Sequence, residues 1–145
     1  SELKNLQKKL FFLKKKLSIN FLISLETDIS PKNLKILLRK KNLRGIGINV
    51  DIGNVVANGY NVQDYFLNLT DLIYGIHLKN RSILFSKSQM LKNTSSLNFA
   101  IKNLSKLKNL HDITLQTYKD NYNYKKQFIY NLKFIKKKLK DHEKV

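Results

Sequence analysis

The chain has 145 residues, the length of one domain, and its 42% hydrophobic content is enough to bury a core. It contains no cysteine, which excludes disulfides, thiolate metal sites and cysteine nucleophiles and fits a reducing, cytoplasmic location. No apolar run reaches the roughly 20 residues of a membrane span. The net charge of +18 comes from many lysines and few arginines. Because specific nucleic-acid readout favours arginine, we interpret this charge as a solvated surface.

The first half of the chain predicts two helices and two strands. The first helix is marked by a stripe with spacings of three and four: Leu3, Leu6, Leu10, Leu13 and Leu17. A short apolar run over 21–25 has the length of a strand. Ser30-Pro31 then predicts a helix start, and the buried face of that helix is Leu34, Leu37 and Leu38. Residues 45–50 form the second predicted strand.

The middle of the chain predicts a loop, a short helix, a strand and a second loop. Residues 53–61 are rich in Gly and Asn, which is typical of a loop. The helix after it is indicated by Val62, Tyr65, Phe66 and Leu69. Residues 72–76 predict the third strand. The polar stretch 79–98 lacks a clear pattern and is predicted as a loop.

The last third predicts helix, strand and helix. Phe99, Leu104 and Leu107 indicate the first of these helices, and residues 113–115 the fourth strand. The final helix is marked at spacings of four, four, three and four by Tyr124, Phe128, Leu132, Ile135 and Leu139.

The element order predicts a single α/β domain over residues 1–145. A helix in 1–20 precedes four strand–helix units in 21–145, and this alternation implies parallel pairing through crossover connections. The strands read as apolar on both faces, as in a sheet covered by helices. Barrel and doubly wound folds both satisfy the pattern. The chain has no Gly-x-Gly-x-x-Gly turn after a strand, which disfavours a dinucleotide-binding fold.

Polar residues end all four predicted strands: Glu26, Asp51, His77 and Gln116. The carboxyl ends of parallel strands share one edge of a sheet, so these side chains are expected to converge. Their oxygens and imidazole suit a divalent cation such as Mn²⁺, Mg²⁺, Co²⁺ or Zn²⁺. Each residue also has a structural interpretation, because an acidic residue here often caps the next helix and a histidine often belongs to the core.

Four segments of the chain resemble one enzyme family. Gly47-Ile-Asn-Val-Asp-Ile-Gly-Asn54 and Ile76-His-Leu-Lys-Asn-Arg81 resemble the sixth- and seventh-strand motifs of the sugar-phosphate isomerase/epimerase family. Leu25-Glu-Thr27 and Ile113-Thr-Leu-Gln-Thr117 resemble its fifth and eighth strands. The resemblance implies a xylose isomerase-like (β/α)8 TIM barrel, of which this chain has the four C-terminal strand–helix units. A closed barrel needs eight, so the chain is expected to be a fragment of a longer protein, as the absent initiator Met indicates, or to self-associate.

The resemblance also implies a set of roles. Glu26, Asp51, His77 and Gln116 match the metal ligands, and Glu26 would also act as the catalytic base on a sugar or sugar phosphate. The positions near the substrate are Asn54, Lys79 and Arg81. The implied reaction is isomerisation or epimerisation through an enediolate.

The chain departs from the family pattern in three places. Gln116 stands where most relatives have Glu, Asn80 replaces an Asp, and residues 91–99 lack the glycines of a Gly-rich segment. These changes keep a second interpretation open, a non-catalytic or vestigial relative that binds a sugar or a metal without turnover. A related nuclease is disfavoured because its three-metal cluster needs many histidines and the chain has three. A generic RNA-binding protein is the remaining alternative.

Overall fold

A computed structural model describes residues 2–17, 21–40, 43–82, 85–116 and 124–143 of the chain. The helices are α1 Glu2–Lys16, α2 Pro31–Leu38, α3 Ile52–Ala57, α4 Val62–Leu69, α5 Ser95–Lys102 and α6 Tyr124–Glu143. The strands are β1 Ile23–Glu26, β2 Ile46–Asp51, β3 Ile73–Leu78, β4 Asn80–Ser82, β5 Phe85–Gln89 and β6 Asp112–Leu115. Thr117, the last residue of the fourth-strand motif, lies outside the described ranges.

Four strands form one parallel sheet in the order β1-β2-β3-β6, which confirms the α/β class and the parallel pairing. The neighbours in the sheet follow each other along the chain, apart from the small antiparallel pair β4–β5. All four carboxyl ends therefore lie at one edge of the sheet. The helices α2, α4, α5 and α6 contact one another in that same sequence.

The two faces of the sheet differ, so the prediction that the strands are apolar on both faces is wrong. In β2 the residues Ile46, Ile48 and Val50 belong to the core cluster together with side chains of α2, α4 and α5. Side chains alternate along a strand, so Gly47, Asn49 and Asp51 face the other way. One face therefore packs on the helices, and the opposite face carries small and polar residues.

A shift in strand register aligns the polar face. Between β2 and β3 the pairing passes from Ile48–Ile73 to Asn49–Gly75, which skips Tyr74. Asp51 consequently pairs with His77. Paired residues point to the same side of a sheet, so the shift places the carboxylate and the imidazole side by side.

Two predicted loops contain secondary structure. Residues 53–61 hold most of α3, which Asp51 caps, and the stretch 79–98 holds β4, β5 and the start of α5. The helix predicted from Phe99 begins earlier, at Ser95, and Leu104 lies in a following turn of 3₁₀ helix. The loop predictions are wrong because 53–61 is rich in Gly and Asn and 79–98 in Asn and Ser, residues with low intrinsic propensities for helix and strand.

The helices at the two ends of the described chain are only partly buried. Leu10 of α1 and Ile135 of α6 are in the core, and Gln7 donates to the backbone oxygen of Leu37 at 3.2 Å. The other apolar residues predicted to mark these two helices are partly exposed, including Leu13 and Phe128. These helices therefore have apolar surface that no described element covers.

Tyr65 ties α4 to the segment that follows β1. Its hydroxyl donates to the backbone oxygen of Ile29 at 2.9 Å. Burial raises the pKa of Tyr65 to about 12, with smaller contributions from Tyr60 and Asp28. The contact fixes the residues directly after Glu26.

We expect this tyrosine to make folding sensitive to alkaline pH. An unfolded tyrosine ionises near pH 10, so the stability that Tyr65 contributes is complete below pH 10 and is lost as the pH rises through about 12. An absorbance titration near 295 nm should show one late-ionising tyrosine among the seven in the chain, absent from Tyr65→Phe. Identical titrations of the two proteins would contradict the assignment.

Candidate functional site

The structure brings three of the predicted site residues together at the carboxyl edge of the sheet. Glu26 is the last residue of β1, Asp51 is the last of β2, and His77 is next to last in β3. Their potential ligand atoms all lie within 4.8 Å of one another. Adjacent parallel strands thus place two carboxylates and an imidazole in one cluster.

Asp51 is the buried centre of this cluster. Its side chain is 2% exposed. Oδ1 accepts a hydrogen bond from the backbone N–H of Asn54 at 2.8 Å and so caps α3. Oδ2 lies 3.1 Å from Nζ of Lys79 and 4.0 Å from Nδ1 of His77. The structural role as a helix cap and the position in the cluster therefore coexist, one on each carboxylate oxygen.

His77 presents an unpaired ring nitrogen to both carboxylates. Nδ1 is buried without a hydrogen-bond partner and lies 3.4 Å from Oε2 of Glu26. Nε2 lies 2.6 Å from Nδ2 of Asn49. Donor atoms that share one tetrahedral divalent ion at about 2.1 Å are roughly 3.4 Å apart. The Glu26–His77 spacing equals this value and Asp51 Oδ2 lies farther from Nδ1, at 4.0 Å, so Glu26, Asp51 and His77 are the residues that would hold such an ion.

The other four predicted residues join the same network through Lys79 and Asn54. Nζ of Lys79 donates to Asp51 Oδ2, to Asn54 Oδ1 at 3.3 Å and to Gln116 Oε1 at 3.1 Å. Arg81 donates to Asn54 Oδ1 at 2.8 Å. Asn54 in turn donates to Glu26 Oε1 at 3.4 Å. Gln116 thus reaches the cluster through the ammonium of Lys79.

Comparison with known proteins neither supports nor opposes the resemblance. No protein-family model, no curated protein and no solved structure matches the chain. The family assignment therefore remains a prediction from the four motifs. Within the described ranges, no helix has both the length and the apolar character needed to cross a bilayer.

The sequence motifs did not identify Asn49 as part of the site. It lies two residues before Asp51 in β2, and this spacing is the signal that places both side chains on one face. Gly53 was likewise missed as a packing position. A Cβ on Gly53 would lie 2.9 Å from Cγ of Lys79 and 3.1 Å from Cβ of Arg81, so glycine lets α3 approach these two residues.

Asn80, which replaces the Asp of the family motif, has a structural contact. It is 7% exposed, and its amide donates to the backbone oxygen of Met90 at 3.1 Å. The contact ties β4 to the residue just after β5. The Asn at this position therefore satisfies a backbone carbonyl, a bond that an ionised carboxylate could not donate.

Proposed function

We propose that this chain is the C-terminal half of a (β/α)8 barrel of the sugar-phosphate isomerase/epimerase type, which moves a proton next to a sugar carbonyl. The observation that carries the proposal is the convergence of Glu26, Asp51 and His77 at one edge of a parallel sheet. The sequential strand order also supports it, because a doubly wound sheet reverses its order at a switch point.

The chemistry requires a base and a means of stabilising negative charge on oxygen. A divalent cation, when bound, would polarise the substrate carbonyl and offset the charge that develops as the proton leaves. Glu26 is the candidate base, since its side chain is 44% exposed whereas that of Asp51 is almost fully buried. Lys79 and Arg81 supply N–H donors for a hydroxyl or phosphate group.

Gln116 limits the kind of reaction. An amide does not take up a proton, so a second base opposite Glu26 is absent from this position. Epimerisation by two opposed carboxylates therefore lacks one partner. Isomerisation, in which a single base removes a proton and returns it to the neighbouring carbon, needs only Glu26.

Solvent exchange tests the proton transfer directly. In D₂O the protein should incorporate deuterium next to the carbonyl of a sugar or sugar phosphate, and Glu26→Gln should slow the incorporation by at least about 100-fold. Asp28→Asn is the matched control, because Asp28 is exposed and contacts Asn58 outside the cluster. Absence of exchange with every sugar phosphate tried would argue against the proposed activity.

A second candidate function is a non-catalytic relative, and the contacts of Lys79 favour it. Its ammonium is surrounded by oxygens of Asp51, Asn54 and Gln116 at 3.1–3.3 Å. A lysine in this position neutralises Asp51 and competes with a cation for Oδ2. In this alternative the side-chain network holds the strand ends together without turnover.

The proposed barrel is completed by four further strand–helix units, which self-association would supply. Among the described residues, β1 and β6 each pair with a single neighbour in the parallel sheet. Uncovered apolar side chains occur on both flanking helices and before β1: Phe12, Phe21, Leu22, Phe128 and Ile129. Unpaired strand edges next to apolar surface are what a second half of the barrel would cover.

A further inference from the structure

We propose that Asp112 and Asn49 form a relay that sets the tautomer of His77, so that Nε2 carries the proton and Nδ1 presents its lone pair to the cluster. The part of this inference that concerns a cation rests on the proposed function. Asn49 and Asp112 are positioning residues, because they act on the cluster only through the ring of His77.

The contact between Asn49 and His77 allows two arrangements. The amide group of Asn49 lies 2.6 Å from Nε2 of His77, and this group either donates to Nε2 or accepts from Nε2–H. If it donates, the neutral ring carries its proton on Nδ1. If it accepts, Nδ1 is free to bind a cation. The two orientations of the amide group occupy nearly the same space. The hydrogen-bond partners of the second amide atom therefore distinguish the two arrangements.

The surroundings of the other amide atom of Asn49 indicate that the group facing His77 accepts a hydrogen bond from Nε2–H. With Nδ2 towards His77, Oδ1 is buried without a partner. A Cβ at Gly75 would lie 2.9 Å from this oxygen and 2.6 Å from Oδ1 of Asp112, so two acceptor oxygens border the space above the glycine. Reversing the amide turns its N–H group towards the Asp112 carboxylate and its oxygen towards Nε2–H. The reversal removes an unpaired buried acceptor and turns an N–H donor towards the side of the carboxylate.

The sheet holds the relay in line. Asn49, Gly75 and Asp112 are paired across β2, β3 and β6, so the two polar side chains flank a residue with no side chain. Any larger residue at 75 would separate them. His77 lies two residues further along β3, on the same face. A metal-binding histidine is commonly oriented in this way by a group that accepts from its other ring nitrogen.

Nitrogen NMR of the metal-free protein tests the relay. Long-range ¹H–¹⁵N spectra, at a pH where the ring is neutral, should show His77 mainly as the Nε2–H tautomer. Asn49→Leu removes the acceptor at similar volume, and Asp112→Ala removes the carboxylate from an exposed strand position. Both substitutions should reduce the share of the Nε2–H tautomer.

Combining Asn49→Asp with Asp112→Asn exchanges the amide and the carboxylate and should restore the share of the Nε2–H tautomer. His111, exposed beside Tyr74, is the internal reference.

The affinity of the protein for a cation provides a second test of the relay. Titration of the protein with Co²⁺ should show affinity about 10- to 100-fold weaker in Asn49→Leu, with recovery in the exchanged pair. Predominant Nδ1–H in the parent protein, or a tautomer that neither Asn49→Leu nor Asp112→Ala alters, would overturn the relay. A parent protein that binds no Co²⁺ but shows the relay-dependent tautomer would refute the proposed cation site and support the relay.

Discussion

Replacing His77 by alanine is expected to lower the affinity of the protein for Co²⁺ or Zn²⁺ by at least about 100-fold. His77 supplies the nitrogen ligand of the three-residue cluster, and its Nδ1 has no competing hydrogen bond. Asp51 already shares Oδ2 with Lys79, so the two remaining carboxylates make a weak site. Calorimetric titration of parent and variant measures the loss.

The chain offers a matched control for this substitution. His111 is exposed and packs edge-on against Tyr74, away from the cluster, so His111→Ala should leave the affinity unchanged. Equal losses in both variants would place the cation outside the cluster. A parent protein that binds neither ion would favour the non-catalytic candidate, in which Lys79 neutralises Asp51.

The elements with a clear apolar period or a capping signal could be predicted from the sequence because these signals are local. The stripe in α4 and the Ser30-Pro31 start of α2 both match the structure, and Ser30 accepts from the N–H of Asn33 at 3.4 Å. The parallel order followed from strand–helix alternation. Both inferences need only spacing, capping chemistry and the geometry of crossover connections.

The helix α3 and the start of α5 could not be predicted, because caps and tertiary contacts form them. The six residues of α3 include Gly53, Asn54 and two valines, which are poor helix formers. The segment is helical because Asp51 caps it and because it packs against β3 and β4. In α5, Thr94 caps the helix by accepting from the N–H of Leu97 at 3.2 Å, although the surrounding Asn and Ser residues are typical of a loop.

The sequence predicted which site residues come together, but it did not predict the hydrogen bonds among them. Strand ends located Glu26, Asp51 and His77, and the structure places them within 4.8 Å of one another. The partners of Lys79 depend on how α3 and β4 approach each other, which no spacing rule encodes. Asn49 was missed for a different reason. The strands were interpreted as apolar on both faces, which hid the alternation that puts Asn49 beside Asp51.

The second large effect concerns stability: Ile76→Ala should lower the free energy of unfolding by about 2–5 kcal/mol. Ile76 is 0% exposed in the central strand β3, so truncation leaves a cavity under the helices. The total free energy of unfolding of a domain of this size is roughly 5–15 kcal/mol, so the variant should unfold at a much lower urea concentration. Ile76→Val should cost only about 0.5–1.5 kcal/mol.

Ile113 provides the comparison, since it pairs with Ile76 across β3 and β6 and is the same residue type, yet is 44% exposed. Ile113→Ala should cost less than about 1 kcal/mol, because much of its side chain is already in water. Urea unfolding monitored by circular dichroism measures both variants. Equal costs would mean that β6 is covered in solution by protein outside the described residues. Such a result would contradict the exposure of Ile113 on which this prediction rests.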